Sequence, residues 1–347
     1  MEKGKQRGNV TIKDIACASG VSIATVSRVM NNIPGRCSAE TEVKIRQIAE
    51  KMGYVPNVMA RSLVTQKSGL VAVLIPDIHY YYYQELYAGL EDYFKQYDIR
   101  PILCTTLQNM ERERQYIQSM SNGLVDGMII ATLNGPENNE EILKLVEKGF
   151  PIVTLERYGG DLDNCCNVRG DNVMAGEMAV DYLYENGHRR IAFICGPDDA
   201  KNSSLRYSGY VKGLEKYGLG LDAELVIGAD YQFEKSVTAT ARLLRKKEFT
   251  ALIAANDLMC VGACNAIKAM KKAIPGDVSV IGLDNTAYME VYHPILTSIS
   301  FPGIKMGIRA GKCLKRLIDG KSLKQSEYII APTLKTGESV QPAVKGS

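Results

Sequence analysis

From Leu70 onward, short apolar runs alternate with amphipathic stretches of helical period, and that alternation leaves few folds open. Leu70–Pro76 (LVAVLIP) is continuously apolar and stops at a proline; helix 84–97 and strand Pro101–Cys104 follow. Helix 111–122 leads to the run Gly127–Ile130, and helix 139–148 leads to Pro151–Leu155. A second series starts near Met174: helix 174–186, strand Ile191–Cys195, helix 203–217, strand Leu225–Gly228 and helix 234–247. Strand Ala251–Ala254, helix 258–271 and strand Val278–Leu283 continue it. Strands that are apolar along their whole length are buried on both faces, which means a parallel sheet covered by helices on each side. Two such series predict an α/β fold of two doubly wound halves with a cleft between them, and ligands of these folds lie beyond the carboxyl ends of the strands. Tyr328–Ile330 reads as a last strand, and the polar tail beyond Gly337 is expected to be disordered.

The chain before Leu70 has another character. Residues 11–31 (TIKDIACASGVSIATVSRVMN) hold two short helical periods around Ser19-Gly20-Val21. Ile12, Ile15 and Ala16 mark one apolar face; Val21, Val26 and Val29 mark the other. Thr11 stands three residues before Asp14, and Ser22 opens the second run, so each hydroxyl is placed to cap a helix start. Gly20 suits a sharp turn in which positive φ is cheap only for glycine. The second run exposes Ser22, Ile23, Ala24, Thr25, Ser27 and Arg28, a face narrow enough for a DNA major groove. On this pattern alone an ordinary helical hairpin is an equal reading. Ser38 starts a third helix to about Met52, with Glu40 and Glu42 in its first turn and Val43, Ile45, Ile48, Ala49 and Met52 on its apolar face. A helix after Pro56 is too short to be stable without packing, and Thr65–Gly69 is a polar linker.

Charge separates the two parts. The first 67 residues carry 11 Lys+Arg against 5 Asp+Glu, and the rest of the chain carries 31 against 34. The positive excess therefore sits at the helix-turn-helix end, where contact with a polyanion needs it. The nine cysteines include no C-x-x-C pair, so free thiols are expected. No stretch approaches the roughly 20 apolar residues of a membrane span, and the first residues lack the apolar core of a signal peptide. A cytoplasmic protein with no membrane partner is expected. His79, His188 and His293 lie far apart, and neither metal-ligand spacing, a G-x-S-x-G elbow nor a phosphate-binding loop is present. No catalysis, metal or cofactor is expected. An exported solute receptor, the other common use of a two-lobed core, would have no place for the amino-terminal helices.

In order along the chain, TIKDIA, GVSIATVSRVMN, AETEVKI, GYVPNVMARSL, VLIPD, VDGMII, GHRRIAFICGP, AANDLM, DVSVIGLDN and LTSI resemble the wording of the lactose-repressor (LacI/GalR) family of transcriptional regulators over about residues 10–340. The resemblance implies a helix-turn-helix DNA-binding domain at 1–55, a hinge helix and linker at 56–68, and an effector-binding and dimerisation core at 69–340 of periplasmic-binding-protein type. Within that core an N-subdomain takes about 69–168 and 301–326, and a C-subdomain about 169–300 and 327–340. The implied activity is that of a homodimeric repressor of a carbohydrate-use operon, bound to a pseudo-palindromic operator. Its control is by a sugar or sugar derivative in the cleft; the alternative is a protein co-effector, or a non-sugar metabolite such as a nucleobase.

Carried over by position, Ile23, Ala24 and Arg28 enter the major groove, and Thr11, Ser22, Thr25, Ser27 and Asn31 contact phosphates. Asn57 caps the hinge helix, Arg61 reaches backbone or groove, and Leu63 wedges into a central minor-groove step. The effector positions fall on Tyr82, Tyr83, Arg157, Arg206, Asn256 and Asp284, with Phe301 where a glutamine is frequent. Fork-shaped arginine donors, a carboxylate, an amide and flat rings suit a polyol. Tyr80–Tyr83 stand in place of the usual Asn-Pro-Phe-Phe, and Glu156 in place of an aspartate, so the expected pocket is rich in rings and poor in amides.

Overall fold

The structure is a computed structural model describing residues 10–31, 37–54, 67–131, 136–156, 165–198 and 200–343, without the side chains of 136–139. It divides into two compact units, Met1–Gly69 and Leu70–Ser347.

In the first unit, Ile12–Ser19 (α1), Ile23–Met30 (α2) and Ala39–Lys51 (α3) close on Ile15, Ala16, Val26, Val29, Ile45 and Ala49. The helix starts are tied locally. Asp14 Oδ2 accepts from the Thr11 N–H at 2.8 Å and from its hydroxyl at 2.7 Å, and Ser22 Oγ accepts from the Thr25 N–H at 3.1 Å. Gly20 supplies the turn between α1 and α2 with φ +75°.

The second unit begins with β1 (Leu70–Ile75), α4 (Tyr81–Lys95), β2 (Arg100–Thr105), α5 (Met110–Ser121), β3 (Met128–Ile130), α6 (Pro136–Glu147), β4 (Ile152–Leu155) and β5 (Cys166–Gly170). It continues through α7 (Asn172–Glu185), β6 (Ile191–Cys195), α8 (Lys201–Lys216), β7 (Val226–Gly228), α9 (Phe233–Lys246), β8 (Ala251–Ala254), α10 (Asp257–Ala269), β9 (Ser279–Asp284), α11 (Ala287–Val291) and β10 (Thr297–Ser300). It ends with α12 (Gly303–Ile318), β11 (Glu327–Ile330) and β12 (Thr333–Lys335). One sheet has the order β11-β5-β4-β3-β1-β2, all parallel. The other has the order β12-β10-β9-β8-β6-β7, parallel apart from the β10–β12 pair.

The chain passes between the sheets three times, and two of these passages differ from the sequence expectation. β5 belongs to the first sheet as far as Gly170, past the expected boundary at 168, and β11 pairs with β5 from Glu327 to Ile330. The last passage therefore follows Ile330 and does not fall at 326–327. β5 and β11 alternate between covered and open positions, so neither shows the continuous apolar run that marks the central strands. The expected disorder beyond Gly337 is also overturned for residues 338–343. Ser339 is fully buried. Its carbonyl accepts from the Val280 N–H at 2.9 Å, and its hydroxyl donates to Val280 O at 2.6 Å and accepts from the Thr297 N–H at 2.8 Å.

That carboxyl-terminal strap is held at its far end by buried His188. Its Nε2–H donates to Gln341 O at 3.0 Å, because a carbonyl only accepts; Nδ1 then accepts from the Thr250 hydroxyl at 2.9 Å. Burial keeps the imidazole pKa below its ordinary 6.5. The unfolded chain therefore takes up the proton first. The stability from this neutral imidazole is complete above pH 6.5 and is lost as pH falls from there through the folded-state pKa. His188→Gln is expected to lose less stability than the native chain between about pH 7.5 and about pH 5.5 in urea unfolding. Equal losses would mean that the imidazole is not held neutral.

One helix contact positions the cavity. A Cβ on Gly176 of α7 would stand closer than 3.0 Å to Arg206 O, and one on Gly209 of α8 closer than 3.0 Å to Val173 O. The two helices thus meet backbone to backbone, and only glycine permits the approach.

Candidate functional site

A cavity of about 510 Å³ lies at the carboxyl ends of the strands of both sheets, where doubly wound folds place ligands. Tyr80, Tyr82 and Tyr83 reach it from the start of α4, Gln108 and Met110 from the segment after β2, and Glu156 from the end of β4. From the other half come Asn202 and Arg206 on α8, Tyr231 after β7, Asn256 after β8, Asp284 closing β9 and Phe301 after β10. At four of these strand ends non-glycine residues adopt positive φ: Leu107 and Gln108, Glu156, Asp230 and Tyr231, and Asp284 and Asn285. Such conformations cost of order 1–3 kcal/mol each and persist only where the surroundings over-determine them.

The polar groups form one chain across the cavity. Glu156 Oε1 accepts from the Tyr82 hydroxyl at 3.0 Å and the Gly170 N–H at 2.8 Å; its Oε2 accepts from Asn172 Nδ2 at 3.3 Å. Asn172 Oδ1 accepts from Arg206 Nε at 2.8 Å. Arg206 Nη2 donates to Asp284 Oδ1 at 2.7 Å and Nη1 to Ala255 O at 2.5 Å. With its side chain 7 % exposed, the guanidinium also lies 4.8 Å from the Phe301 ring centre, within cation–π range. Burial pushes the Asp284 carboxyl upward, and Arg206 opposes that shift by favouring the charged form. Burial likewise raises the Tyr83 phenol, which stays neutral. The Tyr82 and Tyr83 rings meet edge-on at 5.2 Å, and Gln108 Nε2 donates to the Tyr80 hydroxyl at 3.0 Å. Asn256, which also lines the cavity, accepts from the Met259 N–H at 2.9 Å through Oδ1 as the cap of α10.

Tyr82, Tyr83, Arg206, Asn256, Asp284 and Phe301 therefore line one cavity, while Arg157 lies outside the described residues. Gln108, Met110, Asn172, Asn202 and Tyr231 were not singled out in the sequence. Gln108 and Tyr231 lie three residues beyond β2 and β7, so the strand-end rule reaches them; Asn172 lies two residues beyond β5, a strand without an apolar run to mark it, and Asn202 sits in a helix first turn.

On the first unit, Ile23 (50 % exposed), Ala24 and Arg28 share the open face of α2. Ser22 and Thr25 join hydroxyls at 2.9 Å, and Asn31 Nδ2 donates to Ser27 O at 2.8 Å. Asn57, Arg61 and Leu63 lie outside the described residues.

Residues 11–57 match the family described as bacterial regulatory proteins, lacI family, and residues 180–340 match the periplasmic binding protein-like domain. HTH-type transcriptional regulator RegA of Clostridium saccharobutylicum is 32% identical over 95% of this chain and 98% of its own length. The ribose operon repressor of Halalkalibacterium halodurans is 32% identical over 96% and 99%. The chain belongs to the LacI family. This LacI-family chain is thus a DNA-binding transcriptional regulator with ligand-controlled activity, and its relatives are regulators. Catabolite control protein A of Priestia megaterium is also similar, 32% identical over 92% and 95%. Among solved structures, a CelR–cellobiose complex aligns with TM-score 0.73 and 27% identity over 96% of this chain and 100% of that one. The lac repressor dimer bound to operator and an anti-inducer aligns with TM-score 0.87 at 23% identity, over 96% and 100%, which speaks for the fold.

Proposed function

We propose that this LacI-family regulator represses an operon for carbohydrate use and that a sugar or sugar derivative in the described cavity controls it. The observation that carries this reading is the Arg206–Asp284 pair facing a ring-lined space. Asp284 keeps a carboxylate oxygen for hydroxyls, Asn256 offers NH2 donors, and tyrosine rings can cover C–H faces. Support also comes from a relative that is a ribose operon repressor and from an Enterococcus faecium LacI-family structure with bound ribose, 26% identical with TM-score 0.70 over 79% of this chain and 100% of that one. The regulator acts as a homodimer on a pseudo-palindromic operator and carries out no turnover. Effector and operator affinities are then coupled by one common factor.

The test is a thermal-shift screen of the full chain against mono- and disaccharides, glycosides, sugar phosphates and nucleobases. A specific sugar hit raises the melting temperature by mass action. The ring-rich lining favours a nucleobase as the second reading, which the same panel detects. Silence across a folded protein would reject the cavity reading and favour a protein co-effector.

On the DNA side, Arg28 is proposed to read a guanine edge with Ile23 and Ala24 packing beside it; Thr11, Ser22, Thr25, Ser27 and Asn31 set register on phosphates. Arg28→Ala is expected to cost about 1–3 kcal/mol of operator binding and much less of nonspecific binding. Equal losses in titrations on operator and scrambled duplexes would reduce Arg28 to a phosphate contact. Asn57, Arg61 and Leu63 are proposed for the hinge, with Leu63 as the wedge.

A further inference from the structure

Asn256 and Asp257 are neighbours with different tasks. Asn256 caps α10. Asp257 is 1 % exposed and stands behind the cavity wall. Its Oδ2 accepts from the Thr286 N–H, and its Oδ1 accepts from the Ser298 hydroxyl at 2.9 Å. Ser298 Oγ in turn accepts from the Asn285 N–H at 3.0 Å. The two backbone N–H groups that follow Asp284 are therefore both held, one directly by the carboxylate and one through Ser298.

What they hold is strained. Asp284 has φ +127° and Asn285 φ +58°, two successive non-glycine residues in a region that side chains disfavour. Strain of that kind survives only when neighbouring groups fix it from several directions. An acid in a helix first turn is ordinarily explained by the helix dipole, but that explanation does not account for two bonds to other segments. Space for the carboxylate is reserved as well: a Cβ on Gly282 would come closer than 3.0 Å to Asp257 Oδ1.

We infer that Asp257 is a positioning residue of the cavity: through the Thr286 N–H and Ser298 it locks the strained turn that aims the Asp284 carboxylate at Arg206. With the turn in that conformation, Arg206 Nη2 meets Asp284 Oδ1 at 2.7 Å. Burial, with Asp284 nearby, pushes the Asp257 carboxyl up to about 7, as a carboxylate walled off from water requires. The consequence for effector affinity rests on the functional reading above; the lock itself does not.

The test is residue-resolved amide hydrogen exchange on the ligand-free full chain. In Asp257→Ala both acceptor oxygens are gone, so exchange at Asn285 and Thr286 is expected to rise about tenfold or more while the interior of α10 keeps its protection. Ser298→Ala, the milder variant, is expected to release Asn285 and leave Thr286 protected. A role confined to helix or core stability cannot give that asymmetry. Unchanged exchange at 285–286 in both variants, or a rise spread evenly along α10, overturns the inference. Since no ligand enters the measurement, a failed sugar screen and a failed lock give separate results.

Discussion

Asp284→Ala is expected to weaken effector binding by at least about thirtyfold while operator binding without effector stays intact, because truncating one partner of a buried, hydrogen-bonded charge pair costs about 2–5 kcal/mol. Asp284 provides the carboxylate that the ligand hydroxyls would share with Arg206, and Arg206 is left with Asn172, Ala255 O and the Phe301 face. Those remaining contacts hold the guanidinium in place, so the loss falls on the ligand. Removing one partner of a buried pair also lowers stability by roughly 3–5 kcal/mol, and the titration therefore belongs at low temperature on protein shown to be folded. Calorimetric titration of the sugar returned by the screen gives the affinity, and a gel-shift titration on operator gives the control. An affinity within about threefold of the native value would remove Asp284 from the binding site, since a good hydrogen bond to a charged group is worth more than that. Asp284→Asn separates the parts: it keeps the shape and one acceptor oxygen and deletes the charge opposite Arg206.

How far the sequence could be read depends on which physical signal each segment carries. Central strands such as Leu70–Ile75 and Ala251–Ala254 are buried on both faces and declare themselves as apolar runs. Strands at or next to a sheet margin do not. β5 (CNVRG) and β11 (EYII) are covered on one side only, and β10 (TSIS) buries Thr297 and Ser298 because its neighbours satisfy their hydroxyls. A buried polar residue looks like a loop residue until its partner is known. The same gap hid part of the cavity. Asp284 stands at a strand end and could be weighed from sequence, whereas Asn172 matters only because Glu156 and Arg206, far apart in the chain, converge on it. Asp257 has the sequence position of a helix-start acid, and its bonds to Thr286 and Ser298 arise only where distant segments fold together.

Gly209→Ala is expected to damage the cavity more than the fold. A methyl at this position would stand closer than 3.0 Å to Val173 O, a backbone atom that cannot turn aside, so α7 and α8 must separate. Overpacking of this kind costs typically about 1–3 kcal/mol, which in a domain of this size lowers the melting temperature by roughly 3–10 °C. The site is affected through geometry. Asn172 opens α7 and Arg206 sits one turn before Gly209 on α8, so their 2.8 Å hydrogen bond spans the two helices being pushed apart. Binding constellations tolerate displacements of only about 0.5 Å, and Arg206 carries the charge that orients Asp284. Effector affinity should fall more than about tenfold, a loss beyond one neutral hydrogen bond. Gly220→Ala, where a Cβ meets nothing within 4 Å, is the matched control and should change neither quantity. A melting temperature that drops while affinity holds would show that Arg206 is positioned by its bonds to Ala255 O and Asp284 alone, and that the α7–α8 contact serves only the core.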